Sequence, residues 1–127
     1  MEDTDQHITD VDKVMQYFSD ELIEKGKNHD FLKKTRSDEF YDSLISGKIK
    51  DSKWYQDHIT KERHHLKSHV PDDVNLIDVL EYLGDCVVAG LSRSGDIYDI
   101  DPSDKLLRKA FDNTVELLKK EIKVVEK

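Results

Sequence analysis

Apolar residues recur three and four positions apart along nearly the whole chain, a spacing that suits an α-helix and no other regular structure. Val11, Val14, Met15, Phe18 and Leu22 open the pattern, and Gly26 and Asn28 supply a stop. Phe31 to Thr35 reads as a short connector. A second helix is expected from Ser37 to Gly47, carrying Phe40, Tyr41, Leu44 and Ile45. A third, capped by Asp51 or Ser52, would carry Trp54, Tyr55, His58, Ile59, Glu62, His65 and Leu66 before Pro71 ends the unit.

Asp72, Asp73 or Asn75 then starts the most apolar segment, with Leu76, Ile77, Val79, Leu80, Leu83, Cys86, Val87, Val88 and Leu91. Apolar residues all round this helix predict a central element packed on several sides, with Asp78, Glu81 and Asp85 as a separate acidic line and Asp78 solvated. After a polar loop from Ser92 to Asp101, Ser103 or Asp104 caps a last helix through Leu106, Leu107, Ala110, Phe111, Thr114, Leu118, Ile122 and Val125. The best strand candidate, DIYDI, sits in that loop and reads as loop. The expected fold is therefore all-α, one compact domain of about five helices over residues 1–127.

The balance of 20 basic against 28 acidic residues leaves a net charge of −8. Nucleic-acid binding, which depends on cations neutralising phosphates, is not expected. No apolar run approaches the roughly 20 residues of a spanning helix, and the acidic opening MEDTDQHITD lacks the regions of a signal peptide. No membrane association and a cytoplasmic location follow. The single cysteine, Cys86, lies in the apolar run LGDCVVAGL and is expected to be buried and inert.

Chemistry is concentrated in one set of residues: His7, His29-Asp30, His58, His64-His65 and Asp85. Imidazole and carboxylate together suit divalent cations such as Zn²⁺, Mn²⁺, Fe²⁺, Ni²⁺ or Mg²⁺. On a continuous third helix, His58, Glu62 and His65 share one face, and His64 is turned about 100° away; His65 is therefore favoured over His64 as the partner of His58. His7, four residues before Val11, falls on the apolar face of the first helix. His69 reads as a surface or satisfied core residue and not as a ligand, and Trp54 and Tyr55 as core or pocket lining. The carboxylates of DIYDID lack the spacing of a calcium loop, and GLSRSG does not match a phosphate-binding loop.

The order His, His-Asp, two further histidine positions and Asp resembles the HD-domain superfamily of metal-dependent phosphohydrolases. The stretches NHDFLKK with Glu39-Phe40, DHITKERHH and EYLGD are more closely similar to a small bacterial and phage family of HD-like helical proteins. The chain departs from that family's pattern at Phe31-Leu32, at Glu62-Arg63 and at Cys86. The resemblance implies a divalent metal held by His7, His29, Asp30 and Asp85, with His58 and His64 or His65 serving a second. It implies Asp30 and His58 in catalysis, Lys33 against the substrate, and Glu81 orienting a ligand histidine; Arg63 is a further candidate for contact with a substrate phosphate. The implied activity is hydrolysis of a nucleotide or other small phosphoester. The competing expectation is a non-catalytic, metal-stabilised helical protein that binds a protein partner, such as a phage or mobile-element accessory factor.

Overall fold

The computed structural model describes residues 2–124, and these form helices and loops with no strand among them. Five helices of nine residues or more carry the fold: α1 (Glu2–Asn28), α3 (Ser37–Ser46), α4 (Lys53–Lys61), α5 (Leu76–Arg93) and α6 (Asp104–Glu121). The expected connector after α1 is a single helical turn, α2 (Phe31–Thr35), and a 3₁₀ turn (Ile49–Asp51) links α3 to α4. None of the described helices is long and apolar enough to cross a membrane. Val125, expected on the apolar face of α6, lies outside the described residues.

The helix ends follow local chemistry. Gly47 closes α3 at φ 71, a left-handed conformation that glycine adopts without steric cost, and its N–H reaches the Leu44 carbonyl. Ser52 caps α4 by accepting from the Tyr55 N–H, and Ser103 caps α6 by accepting from Leu106. Asn75 and Asp78 form a reciprocal capping box at the start of α5.

Helix α5 packs against α6 on one side and α1 on another. Leu66, Val74, Tyr82, Cys86 and Ala110 form the core, with Leu76, Val79, Ile100 and Leu106 against it. Burial pushes the Cys86 thiol up, which keeps it protonated and unreactive. The loop after α5 folds back over Gly90, where a Cβ would stand 2.4 Å from the Asp96 carbonyl oxygen. Two expectations for α5 are corrected. It is not enclosed on all sides, since Leu80, Leu83, Val88 and Leu91 are exposed, and Asp78 is fully buried. Burial of that carboxylate is compensated by a two-pronged pair with Arg63, both contacts at 2.9 Å, and by Lys25 at 3.5 Å.

Candidate metal centre

Helix α1 delivers the first two residues of the centre at its C-terminal end. Asn28 turns back to donate to the Glu24 carbonyl at 3.0 Å, and the chain leaves the helix at His29-Asp30. Asp30 sits at φ 54, among the few non-glycine residue types that tolerate this region. The sharp turn brings His29 onto α5. There Nδ1 lies 2.8 Å from Glu81 Oε2, and Nε2 lies 3.0 Å from Asp85 Oδ1. Glu81 and Asp85, four positions apart on one face of α5, thus grip the two nitrogens of one ring.

The other side comes from α4 and the turn after it. Trp54, buried and packed against Phe40 of α3, stacks on the His58 ring at 4.9 Å with an 11° interplanar angle. His58 Nδ1 is 2.9 Å from Glu62 Oε2, and His58 Nε2 is 2.7 Å from His65 Nε2. The helix does not continue to His65 as expected: it ends at Lys61, and Glu62 is extended at φ −92, ψ 115. Both histidines of the pair are therefore brought in, and the 100° separation of a continuous helix does not apply. His64, only 2 % exposed, places Nδ1 3.0 Å from Glu81 Oε2 and Nε2 3.2 Å from Asp30 Oδ1.

One oxygen of Glu81 thus faces the Nδ1 atoms of both His29 and His64. A carboxylate accepts from Nδ1–H, which leaves Nε2 of His64 turned toward Asp30, while Nε2 of His29 also faces Asp85. Those Nε2 atoms lie near Asp30, as does His58 Nε2 at 3.6 Å from Asp30 Oδ1. Two sets of ligand atoms result, each gathered within 4.8 Å: Asp30, His58, Glu62 and His65, and His29, Asp30 and His64. Asp30 belongs to both.

The donor atoms suit a cation by a further criterion. Asp30 Oδ1 and His64 Nε2 are buried and 3.2 Å apart, yet neither has a correctly aligned hydrogen-bond partner. Buried polar atoms are almost always satisfied. A nitrogen lone pair and a carboxylate oxygen that converge without aligning to one another are arranged as two ligands of a common ion are.

The electrostatics agree. Hydrogen bonds to Asp85 and Glu81 outweigh burial and raise the His29 pKa to about 10. Burial opposes the charged form of His64, but the Asp30 and Glu81 carboxylates prevail and raise it to about 9. Burial, reinforced by His64 and His58, lowers His65 to about 4. Burial works against ionisation of Glu81, but His29 and His64 bring it down to about 2, and Asp30 is likewise held well below the usual carboxylate range. The cluster is thus a strongly anionic locus whose positive charge is supplied by imidazolium protons, which a divalent cation can replace.

Among the expected residues, the structure joins His29, Asp30, His58, His64, His65, Glu81 and Asp85. His7 is not joined to them. It is exposed, and the uninterrupted helix α1 carries it 18 residues from Lys25, about 27 Å along the axis at 1.5 Å per residue. Its expected place on a buried face is corrected for the same reason: α1 packs through Val14, Tyr17, Phe18 and Glu21, beyond its first two turns. Lys33 stays at the centre, 3.2 Å from Asp30 Oδ2. Arg63 pairs with Asp78 and with Asp73 at 2.9 Å, which braces the His64-His65 turn against α5, and its part-exposed side chain also borders the cleft beside His64. Glu62 was not expected as a ligand, although its i+4 spacing from His58 carried the signal. His69 is exposed, as expected.

Two clefts flank the cluster. One, of about 510 Å³, is bordered by Lys25, Asn28, Phe31, Lys61 and His64. The other, of about 520 Å³, reaches His29, Asp30 and Asp85 between walls that include Leu22, Leu80 and Val88. Comparison with protein-family models, curated proteins and solved structures finds no match to this chain.

Proposed function

We propose that the protein is a metal-dependent phosphohydrolase of the HD-like kind, acting in the cytoplasm on a nucleotide or another small phosphoester. The observation that carries the reading is Asp30: one carboxylate shared by two imidazole-rich ligand sets 4.8 Å or less across. A shared carboxylate is how two cations are held close enough to act on one phosphoryl group. Asp30, His58, Glu62 and His65 would hold one cation, and His29, Asp30 and His64 the other, with Asp85 beside His29. Mn²⁺, Zn²⁺, Fe²⁺, Ni²⁺ and Mg²⁺ all accept such donors in differing degree, and four imidazoles favour the transition metals over Mg²⁺.

A bound divalent cation supplies Lewis acidity: it polarises a phosphoryl oxygen and makes water a better nucleophile. The protein's own residues do the rest. Glu81 fixes the tautomers and ring planes of His29 and His64. Lys33, which pairs with Asp30 and is part-exposed, offers an ammonium to phosphoryl oxygens that approach Asp30. Asp85 borders the cleft beside His29 Nε2, and with that nitrogen on a cation its carboxylate would be free to join His29 as a ligand or to accept a proton there. Trp54 shields the buried side of His58 from water.

The test is hydrolysis of model and nucleotide phosphoesters by protein reconstituted with Mn²⁺ or Zn²⁺. Turnover that disappears in Asp30→Asn supports the reading, and absence of turnover in the fully metallated parent across mono-, di- and triesters contradicts it. A second reading is a metal-stabilised, non-catalytic protein that binds a protein partner, such as a phage accessory factor. It is favoured by the pairing of Lys33 with Asp30 and of Arg63 with Asp78 and Asp73, which neutralises the cations nearest the cluster. Under it, metal raises the melting temperature and no phosphoester is turned over.

A further inference from the structure

Helix α5 is the most apolar element of the chain, yet it leaves a whole face to solvent. Leu80, Leu83, Val88 and Leu91 are between 44 % and 66 % exposed, and Gly84 is exposed in their midst. The acidic residues of α5, Asp78, Glu81 and Asp85, all turn toward the Arg63 brace and the histidine cluster. The exposed strip of Leu80, Leu83, Gly84, Val88 and Leu91 carries no charge of its own, in a chain of which 38 % is charged, and Asp85 and Lys25 border it only at the cleft. Leu22 of α1, 40 % exposed, extends it across the cleft that Leu80, Gly84 and Val88 also line.

Gly84 is the second observation. Glycine is among the poorest residues for a helix interior, so one in mid-helix needs a reason. Gly90 on the same helix has one, because the following loop crosses directly over it. Gly84 has none within the monomer: a Cβ there would meet nothing within 4 Å. A helix face without a side chain at its centre, flanked by leucines and valine, suits close approach of another backbone.

We propose that a second copy of this chain occupies this face, the two α5 helices crossing at Gly84 about a two-fold axis. Charge selects the occupant. A net charge of −8 opposes self-association everywhere except where the surface carries none. A basic partner would seek acidic surface, which this face lacks. Shape fits a two-fold arrangement, because a contact with the same patch on both sides needs a self-complementary centre, and Gly84 against Gly84 provides one. Area is sufficient. Helix α5 is about 27 Å long, and with α1 alongside the face is about 20 Å wide. A copy laid on it would cover on the order of 500 Å² per partner, at the lower bound for a specific interface of about 1,000 Å² in total. The partner would also wall the open side of the cleft at Asp85. The inference does not depend on the phosphohydrolase reading.

The test is sedimentation velocity on the full chain between about 2 and about 200 µM, a range that brackets micromolar association. The mass should rise from 14.8 kDa toward twice that value with concentration. Gly84→Arg, whose side chain leaves into open space, should weaken association by at least about 30-fold, as losses at the centre of an interface do, with unchanged helical circular dichroism. Leu91→Glu is the second variant should the first lose helicity. Ile45→Glu, on α3 and 84 % exposed, should leave the association as it was. A parent that stays monomeric throughout, including one whose face instead captures another partner, overturns the proposal. So does a dimer that persists in both Gly84→Arg and Leu91→Glu.

Discussion

Replacing Asp78 by alanine should destabilise the protein well beyond an ordinary surface change, because that one carboxylate serves three structures. It accepts from the Asn75 N–H at 3.0 Å and so closes the capping box of α5. It holds the Arg63 guanidinium through two contacts at 2.9 Å, and it lies 3.5 Å from Lys25. Loss of a cap costs about 1 kcal/mol. Loss of the charge-assisted pair costs about 2 kcal/mol more, less than the full value for a buried pair because Arg63 is part-exposed and keeps Asp73. The sum, about 3 kcal/mol, corresponds to a fall in melting temperature of roughly 10 °C for a domain of this size. Asp78→Asn retains an acceptor for the cap and should lose only about 2 kcal/mol. Urea denaturation of Asp78→Ala, Arg63→Ala and the double variant gives the coupling directly, expected near 2 kcal/mol. Because Arg63 pins the turn that carries His64 and His65, all three variants should also bind metal more weakly. Losses under about 0.5 kcal/mol with no coupling would refute the assignment of Asp78 and Arg63 as the brace of the centre.

Further outcomes follow from the same geometry. Glu81→Gln removes the charge that orients two imidazoles and should weaken metal binding by about 10- to 100-fold in a chelator-competition titration; unchanged affinity would show that the rings are held by packing alone. In the metal-free protein, His29 and His64 are raised to about 10 and about 9, so their stabilisation is complete below pH ~6.5 and is lost as pH rises through 9 to 10. His65 is lowered to about 4, so its contribution is present above pH ~6.5 and lost as pH falls toward 4. Urea midpoints should therefore peak at about pH 6.5 and fall as pH rises toward about 9 to 10, and stability still rising from about pH 7 to 9 would contradict the two raised histidines. Lys33→Ala should raise KM for a phosphoester with metal content unchanged, whereas a loss of metal would place Lys33 in support of Asp30.

The helices were legible because their signals are local. Ser52, Asn75 and Ser103 cap where a short polar side chain precedes an apolar repeat, and Gly47 ends α3 because it alone takes the left-handed turn cheaply. Of the seven positions expected at a metal, the structure brings six together, all but His7. What the sequence did not disclose depends on where chains cross in space. Nothing near His7 shows that α1 runs unbroken away from the cluster. Nothing in DHITKERHH shows that α4 stops at Lys61, because a short helix and a longer one share the same apolar phase up to that point. The burial of Asp78 was equally hidden: its partner, Arg63, is fifteen residues away, and Lys25 lies on another helix.

The most direct measurement is metal content of the untagged protein, purified without chelator and then reconstituted with Mn²⁺ or Zn²⁺, for the parent and for Asp30→Asn, His58→Ala, His64→Ala and His7→Ala. The account predicts stoichiometric metal in the parent and in His7→Ala. It predicts loss of nearly all metal in Asp30→Asn, whose carboxylate belongs to both ligand sets, and partial loss in His58→Ala and His64→Ala, which belong to one each. A parent that takes up no metal, or one whose metal survives Asp30→Asn and disappears with His7→Ala, would contradict it.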